Sequence, residues 1–273
     1  TREGVWLFEN QGAGKFRERP LLQFQPAFGS SDFRFEDMNG DGRPDLILVN
    51  GDNADQSQIL KAYHGVRIFE QDSGGELVEK WFYPMHGASA LEVGDFDQDG
   101  NVDIAAIAFF PDRKQQPKED LIYFKQDQKG QFIPHILAQS LDYYWLTLTK
   151  GDLDGDGDQD LFVGSRSTPQ QYGISPISYL YENNGSGQFT DVAATKYKDL
   201  SIAGMLTDAR WEDMNSDGKK ELVVTGEWMN PRIFSFNNGK MKELETGLAD
   251  KQGWWQTVAT ADLYGDGDKD MVL

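Results

Sequence analysis

Short apolar runs recur along this chain at a steady interval. Residues 46–49, 104–108, 161–163, 222–225 and 271–273 are almost wholly apolar and too short for helices, which reads as strands buried on both faces. Each follows, across a nine-residue polar stretch, a more mixed run: 33–36, 90–93, 146–149, 209–212 and 257–261. A second pattern keeps step with the first. Val5-Trp6-Leu7-Phe8-Glu9-Asn10-Gln11-Gly12-Ala13-Gly14-Lys15-Phe16 is a strand, a glycine turn and a strand. It returns at 66–77, 121–132, 178–189 and, more loosely, 232–244. Glycine-centred turns between β-type runs predict hairpins. Four strands per unit, repeated radially with the apolar strands inside, predict an all-β chain folded as a β-propeller of four-stranded antiparallel blades. Long stretches of 3.6-residue period are absent, so a helical fold finds little support.

The polar stretches begin at 37, 95, 152, 213 and 262, a period of roughly 50–60 residues that calls for a repeat architecture. Five repeats predict one domain over 1–273. Either the N-terminal hairpin, residues 1–20, completes the C-terminal blade and closes a five-unit ring, or the chain is most of a larger propeller. Closure would remove two exposed sheet edges.

The polar stretches carry the chemistry. Asp152-Leu153-Asp154-Gly155-Asp156-Gly157-Asp158-Gln159-Asp160 places carboxylates at positions 1, 3, 5 and 9 and glycine at position 6. Asp37, Asn39, Asp41 and Asp45 repeat this around Gly42, and Asp95, Asp97, Asp99 and Asp103 around Gly100. Asp213, Asn215, Asp217 and Glu221 do so around Gly218, and Asp262, Asp266 and Asp270 around Gly267, with Tyr264 at position 3. A hard dication such as calcium takes six to eight oxygen ligands at roughly 2.3–2.6 Å, and alternate side chains of a tight loop can converge on it. Position 7 (Arg43, Asn101, Asp158, Lys219 and Asp268) would add a backbone carbonyl, and position 9 would complete the shell. One such loop alone is as readily a solvated turn. Five copies in phase predict calcium loops, four to five ions in all, with the Tyr264 loop the weakest. A shell filled by protein oxygens leaves no open position for catalysis, so the expected role is structural, coupled to folding. Affinities of roughly 10⁻⁴–10⁻³ M are those of extracellular modules.

The five D-x-[DN]-x-D-G-x-x-[DE] loops resemble the FG-GAP/VCBS repeat family, the calcium-loop propellers that include the integrin α-subunit head. The second half is similar to VCBS-repeat proteins related to cartilage acidic protein, through Gly204-Met205-Leu206-Thr207-Asp208-Ala209, Gly226-Glu227-Trp228-Met229 and Gly253-Trp254-Trp255. The resemblance implies an extracellular, cell-surface or periplasmic binding module, often set within a longer protein. It does not name a ligand.

Composition narrows the partners. The net charge of −19 argues against nucleic acid and anionic membrane surfaces. Five dications would bring it to −9, so the acidity reads as a metal requirement. The chain has no cysteine, hence no disulfide, and no apolar run long enough for a membrane helix.

In a meander the acidic loops and glycine hairpins share one face. The opposite face then receives the longer segments 50–64, 111–120, 165–177 and 226–231, where binding usually lives. Aromatic clusters open several blades there. Trp81, Tyr83, Tyr143, Tyr144, Trp228 and Trp254 are the candidate ligand residues, able to anchor a protein or stack on a sugar. The competing reading packs each of them between blades as core. His64, His86 and His135 show no metal-type spacing, and no nucleophile elbow or phosphate loop occurs, so no catalytic residue is assigned. The expected function is a non-enzymatic adhesion or assembly module binding a protein partner or further copies of itself. The alternative is a carbohydrate-active module, lectin-like or of polysaccharide-lyase type.

Overall fold

The computed structural model describes residues 3–52, 59–138 and 143–273. Residues 1 and 2 of the expected N-terminal hairpin and 53–58 of the long segment 50–64 lie outside the described residues. The chain divides into two compact units, one within Thr1–Val93 and Asn101–Gln139, the other within Gly94–Gly100 and Ser140–Leu273.

In the first unit β1 (Glu3–Asn10) and β2 (Phe16–Phe24) form a two-stranded antiparallel sheet. Two four-stranded sheets follow in simple sequential order. One is β3 (Ser30–Glu36), β4 (Asp45–Asn50), β5 (Gly65–Gln71) and β6 (Leu77–Pro84). The other is β7 (Ala88–Gly94), β8 (Asp103–Ala108), β9 (Leu121–Gln126) and β10 (Phe132–Ala138). Every residue of β4 and β8 is buried, which explains their unbroken apolar sequence. The period of two decides the rest. From β4, Ile47 and Val49 point into a core with Leu91, Ile104, Ile122 and Phe124, while Leu46 and Leu48 meet Val5 and Phe69 on the other face.

The second unit repeats the plan with two changes. Its first sheet is β11 (Tyr144–Gly151), β12 (Asp160–Ser167), β13 (Tyr179–Glu182) and a two-residue β14 (Thr190–Asp191). The outer strand stops there because the chain turns into α1 (Ala193–Lys196) and α2 (Lys198–Ser201). Val192, Ala193, Tyr197 and Leu200 bury themselves against Leu180 and Phe162. The all-β expectation holds, with these two single turns as its only helix among the described residues. Their burial at 192, 193, 197 and 200 is helix-spaced but too brief to stand out in the sequence. The second sheet is β15 (Met205–Glu212), β16 (Glu221–Met229), β17 (Arg232–Asn237) and β18 (Lys240–Glu243), joined by β19 (Gly253–Trp254) pairing with β16. Last, β20 (Ala259–Ala261) and β21 (Asp270–Val272) pair as a two-stranded sheet. Four of the five repeats thus form complete four-stranded propeller-type blades.

Three of the hairpins between third and fourth strands share one device. Asp72, Asp127 and Asn184 each accept the backbone N–H groups two and four residues on, closing the turn before a left-handed glycine at 75, 130 and 187.

Candidate metal loops and an exposed aromatic cluster

Each acidic stretch joins the first and second strand of its repeat. The position-1 carboxylate organises the turn. Asp37 accepts the N–H of Asp41 and Gly42 at 3.1 and 2.7 Å, and Asp95 that of Asp99 and Gly100 at 3.0 and 2.9 Å. Asp213 and Asp262 do the same at Gly218 and Gly267 at 2.9 and 3.0 Å, and Asp152 at Gly157 at 3.1 Å. These bonds hold the Asp37 and Asp262 carboxyls below the ordinary carboxylate range. Position 3 (Asn39, Asp97, Asp154, Asn215) accepts the position-5 N–H. Tyr264 has no such oxygen. Position 5 in turn accepts the N–H of Arg43, Asp158, Lys219 and Asp268. Position-6 glycines 42, 100, 157, 218 and 267 are all left-handed, at φ between 82° and 96°.

The result is carboxylates drawn together. Oxygens of Asp95, Asp97 and Asp99 lie within 4.8 Å of one another, as do those of Asp152, Asp154 and Asp156. Like charges so close repel, and a cation would relieve that repulsion. In the loop at 152, burial and the neighbouring aspartates push the Asp158 carboxyl up to about 7, and its buried Oδ1 has no hydrogen-bond partner. An all-oxygen set with uncompensated charge fits a hard dication such as calcium.

Position 9 has a role the sequence did not disclose. Asp45, Asp103, Asp160 and Glu221 are buried, at 0–1% exposure. Asp160 accepts the N–H of Leu153 at 2.6 Å and of Asn183 at 2.8 Å. Asp45 does the same for Met38 and Gln71 at 3.0 and 2.8 Å, and Asp103 accepts Gln126 N–H and the Tyr123 hydroxyl. Glu221 and Asp270 each hold the N–H at position 2, from Met214 and Leu263. This side chain straps the loop to the second strand and, in three blades, to the end of the third.

The structure separates the six candidate aromatic residues. Trp81 and Tyr83 pack as core against Phe124, with centroids at 5.4 and 4.8 Å, and the Tyr83 hydroxyl donates to Glu119 at 2.7 Å. Tyr143 lies against Tyr179, Tyr144 opens β11 opposite Ser167, and the adjoining Trp145 is buried. Only Trp228 and Trp254 come together in the open, 5.3 Å apart and 63% and 53% exposed. Tyr172, which was not singled out, joins them at 6.4 Å from Trp254. Beneath them Glu227, 1% exposed, accepts Nε and Nη2 of Arg166 at 2.9 and 2.6 Å and the Tyr172 hydroxyl at 2.7 Å. Burial pushes the Glu227 pKa up, but bonds from Tyr172, Arg166 and the Trp254 side chain outweigh it and hold the group below its ordinary value. A glutamate closing an apolar strand was the sequence signal for this hub. Trp228 sits at φ 60°, a left-handed conformation that costs a bulky residue roughly 1–3 kcal/mol. The bulge between Glu227 and Met229 keeps both of those buried and turns Trp228 outward.

Residues 1–48, 152–224 and 213–273 match the FG-GAP-like repeat. The chain belongs to the FG-GAP-like repeat family. The matched stretches take in four of the five acidic loops, wholly or in their first turn and carboxylates. The chain is also similar to phosphatidylinositol-glycan-specific phospholipase D of Mus musculus, at 25% identity over 260 residues. That match covers 86% of this chain and 30% of the relative's length.

The histidines stay apart from these sites. His135 stacks on Tyr123 at 5.8 Å. His64 is buried, and burial, with Lys61 and His86 nearby, holds its pKa down to about 4.

Proposed function

We propose that this chain is a calcium-stabilised, non-catalytic recognition module acting outside the cytoplasm. The observation that carries the reading is the convergence of three carboxylates in each of the loops at 95 and 152, with the orphaned Asp158 Oδ1 beside the second. Asp95, Asp97, Asp99, Asp152, Asp154 and Asp156 would hold the ions. Calcium supplies the charge that lets these groups pack, at affinities of roughly 10⁻⁴–10⁻³ M that suit a calcium-rich exterior. Membership of the FG-GAP-like repeats supports the location, and no described helix is long and apolar enough to cross a membrane.

Recognition, rather than catalysis, is the reading from sequence, where the three histidines show no metal-type spacing and no nucleophile elbow or phosphate loop occurs. The phospholipase activity named for the mouse protein is not carried over, because the similarity spans only 30% of that protein. A protein partner or self-assembly remains the reading from sequence. A glycan ligand is favoured by one observation, the exposed rings of Tyr172, Trp228 and Trp254.

Thermal unfolding in 2 mM calcium and in chelator, with metal counting on the same sample, tests the metal half. A calcium-dependent rise in Tm with four or five ions bound supports it. An unchanged Tm and a metal-free protein would overturn it.

A further inference from the structure

We infer that the cluster around Glu227 is a binding site for a neutral carbohydrate, with the rings of Tyr172, Trp228 and Trp254 as its stacking surface. The inference rests on the recognition-module reading and specifies the ligand class.

The side chains are held in place before any ligand arrives. Glu227 takes the Tyr172 hydroxyl on Oε2 and Arg166 on Oε1, and β19 pairs Trp254 with Glu227 along the backbone. The polar end of Tyr172 is therefore directed inward, while the rings of Tyr172 and Trp254 stay more than half exposed. Neighbouring rings are tilted by 34° and 42°, which makes a shallow trough rather than a stack closed on itself. Trp228 is committed to solvent by its left-handed backbone. Such a backbone persists only where its surroundings fix it, and it gathers at ligand clamps. Large rings fixed at two torsions present apolar area at little entropic cost on binding.

Charge selects the ligand. In a chain that is 26% charged, residues 165–177 carry one charged side chain, Arg166, and it is paired with Glu227. Asp250 and Lys251, on the segment that leads into β19, pair with each other. Among the described residues of these segments each cation has a carboxylate partner, which gives little pull on an anionic ligand, and the carboxylate under the rings is already bonded, which disfavours a quaternary ammonium. Gln170, Gln171 and Gln252 add exposed neutral amides to these segments. A pyranose offers both things this surface accepts, an apolar C–H face for the rings and hydroxyls for the amides at the rim.

The test titrates the full chain in calcium with cellohexaose and chitohexaose, following tryptophan fluorescence and calorimetry. The expected result is saturable binding to at least one of them, weakened at least tenfold in Trp254→Ala and in Trp228→Ala, and unchanged in Tyr264→Ala. Both platform variants remove exposed rings, and an unshifted unfolding curve shows that they fold. Absence of binding to either oligosaccharide, or binding that both platform variants retain, overturns the inference. So does capture of a protein that only the platform variants lose while neither sugar binds. Sugar binding by a protein that is metal-free and whose Tm calcium does not change would leave this inference standing and sink the calcium reading alone.

Discussion

Position 4 of every acidic loop lies in the left-handed region: Gly40, Gln98, Gly155, Ser216 and Gly265 have φ of 74°, 58°, 85°, 58° and 71°. Three of the five are glycine, a regularity that the carboxylate pattern hides. A residue with a Cβ pays roughly 1–2 kcal/mol in this conformation. Ser216→Gly should therefore raise stability by up to about 1 kcal/mol, after the greater freedom of glycine in the unfolded chain is set against that gain. Gly155→Ala should lower it by a similar amount, and urea midpoints measure both. His64 gives a pH signature at the same scale. Its folded pKa of about 4 lies below the unfolded 6.5, so on acidification the unfolded chain takes up a proton that the folded one refuses. Stability should fall by about 2 kcal/mol between pH 7.5 and pH 5, and level off below pH 4. His64→Phe should flatten that part of the profile. An unchanged difference between the two proteins across this range would show that His64 is not buried neutral.

Within one blade, the loop and its strands are a single mechanical element. Asp160 ties Leu153 to Asn183, whereas Asp154 is pushed up in pKa by burial and by Asp156 and contributes repulsion until a cation arrives. The two aspartates should separate in chelator. Asp160→Asn puts an amide N–H against a backbone N–H and should cost about 1–3 kcal/mol with or without calcium. Asp154→Asn should be neutral or stabilising without calcium, and should lower calcium affinity. Equal behaviour of both variants would mean that position 9 acts only as a ligand. The strap was invisible in the sequence because one carboxylate symbol serves for a metal ligand and for an acceptor of two amides. The brevity of β14 was hidden for a related reason: α1 and α2 are single turns whose helical form is set by burial against Phe162 and Leu180.

Over the whole molecule, the net charge of −19 should make stability depend on cations if the acidic loops hold them as proposed. With site constants of roughly 10⁻⁴ M, 2 mM calcium should add about 2 kcal/mol per occupied loop. Tyr264 is 83% exposed and leaves position 3 of its loop without an acceptor, so that loop should fill last. Tyr264→Asp should bring its affinity toward the others in a calorimetric calcium titration. Five indistinguishable sites in the unaltered protein would refute the ranking.

The amino-acid sequence by itself determined the repeat, the strands and the acidic loops. These depend on local rules: a period of two for a buried strand, oxygen donors at alternating positions, and a glycine where the turn needs a left-handed residue. Tertiary structure decided the fate of the aromatic residues. Trp81 and Trp228 look alike in the sequence, yet one closes a core against Phe124 and the other is turned out by a bulge. What separates them is contact with distant strands and the burial of Glu227 between Arg166 and Tyr172, residues 61 and 55 positions away. Local sequence carries no record of such distances, because it is the packing of separate strands that brings the partners together.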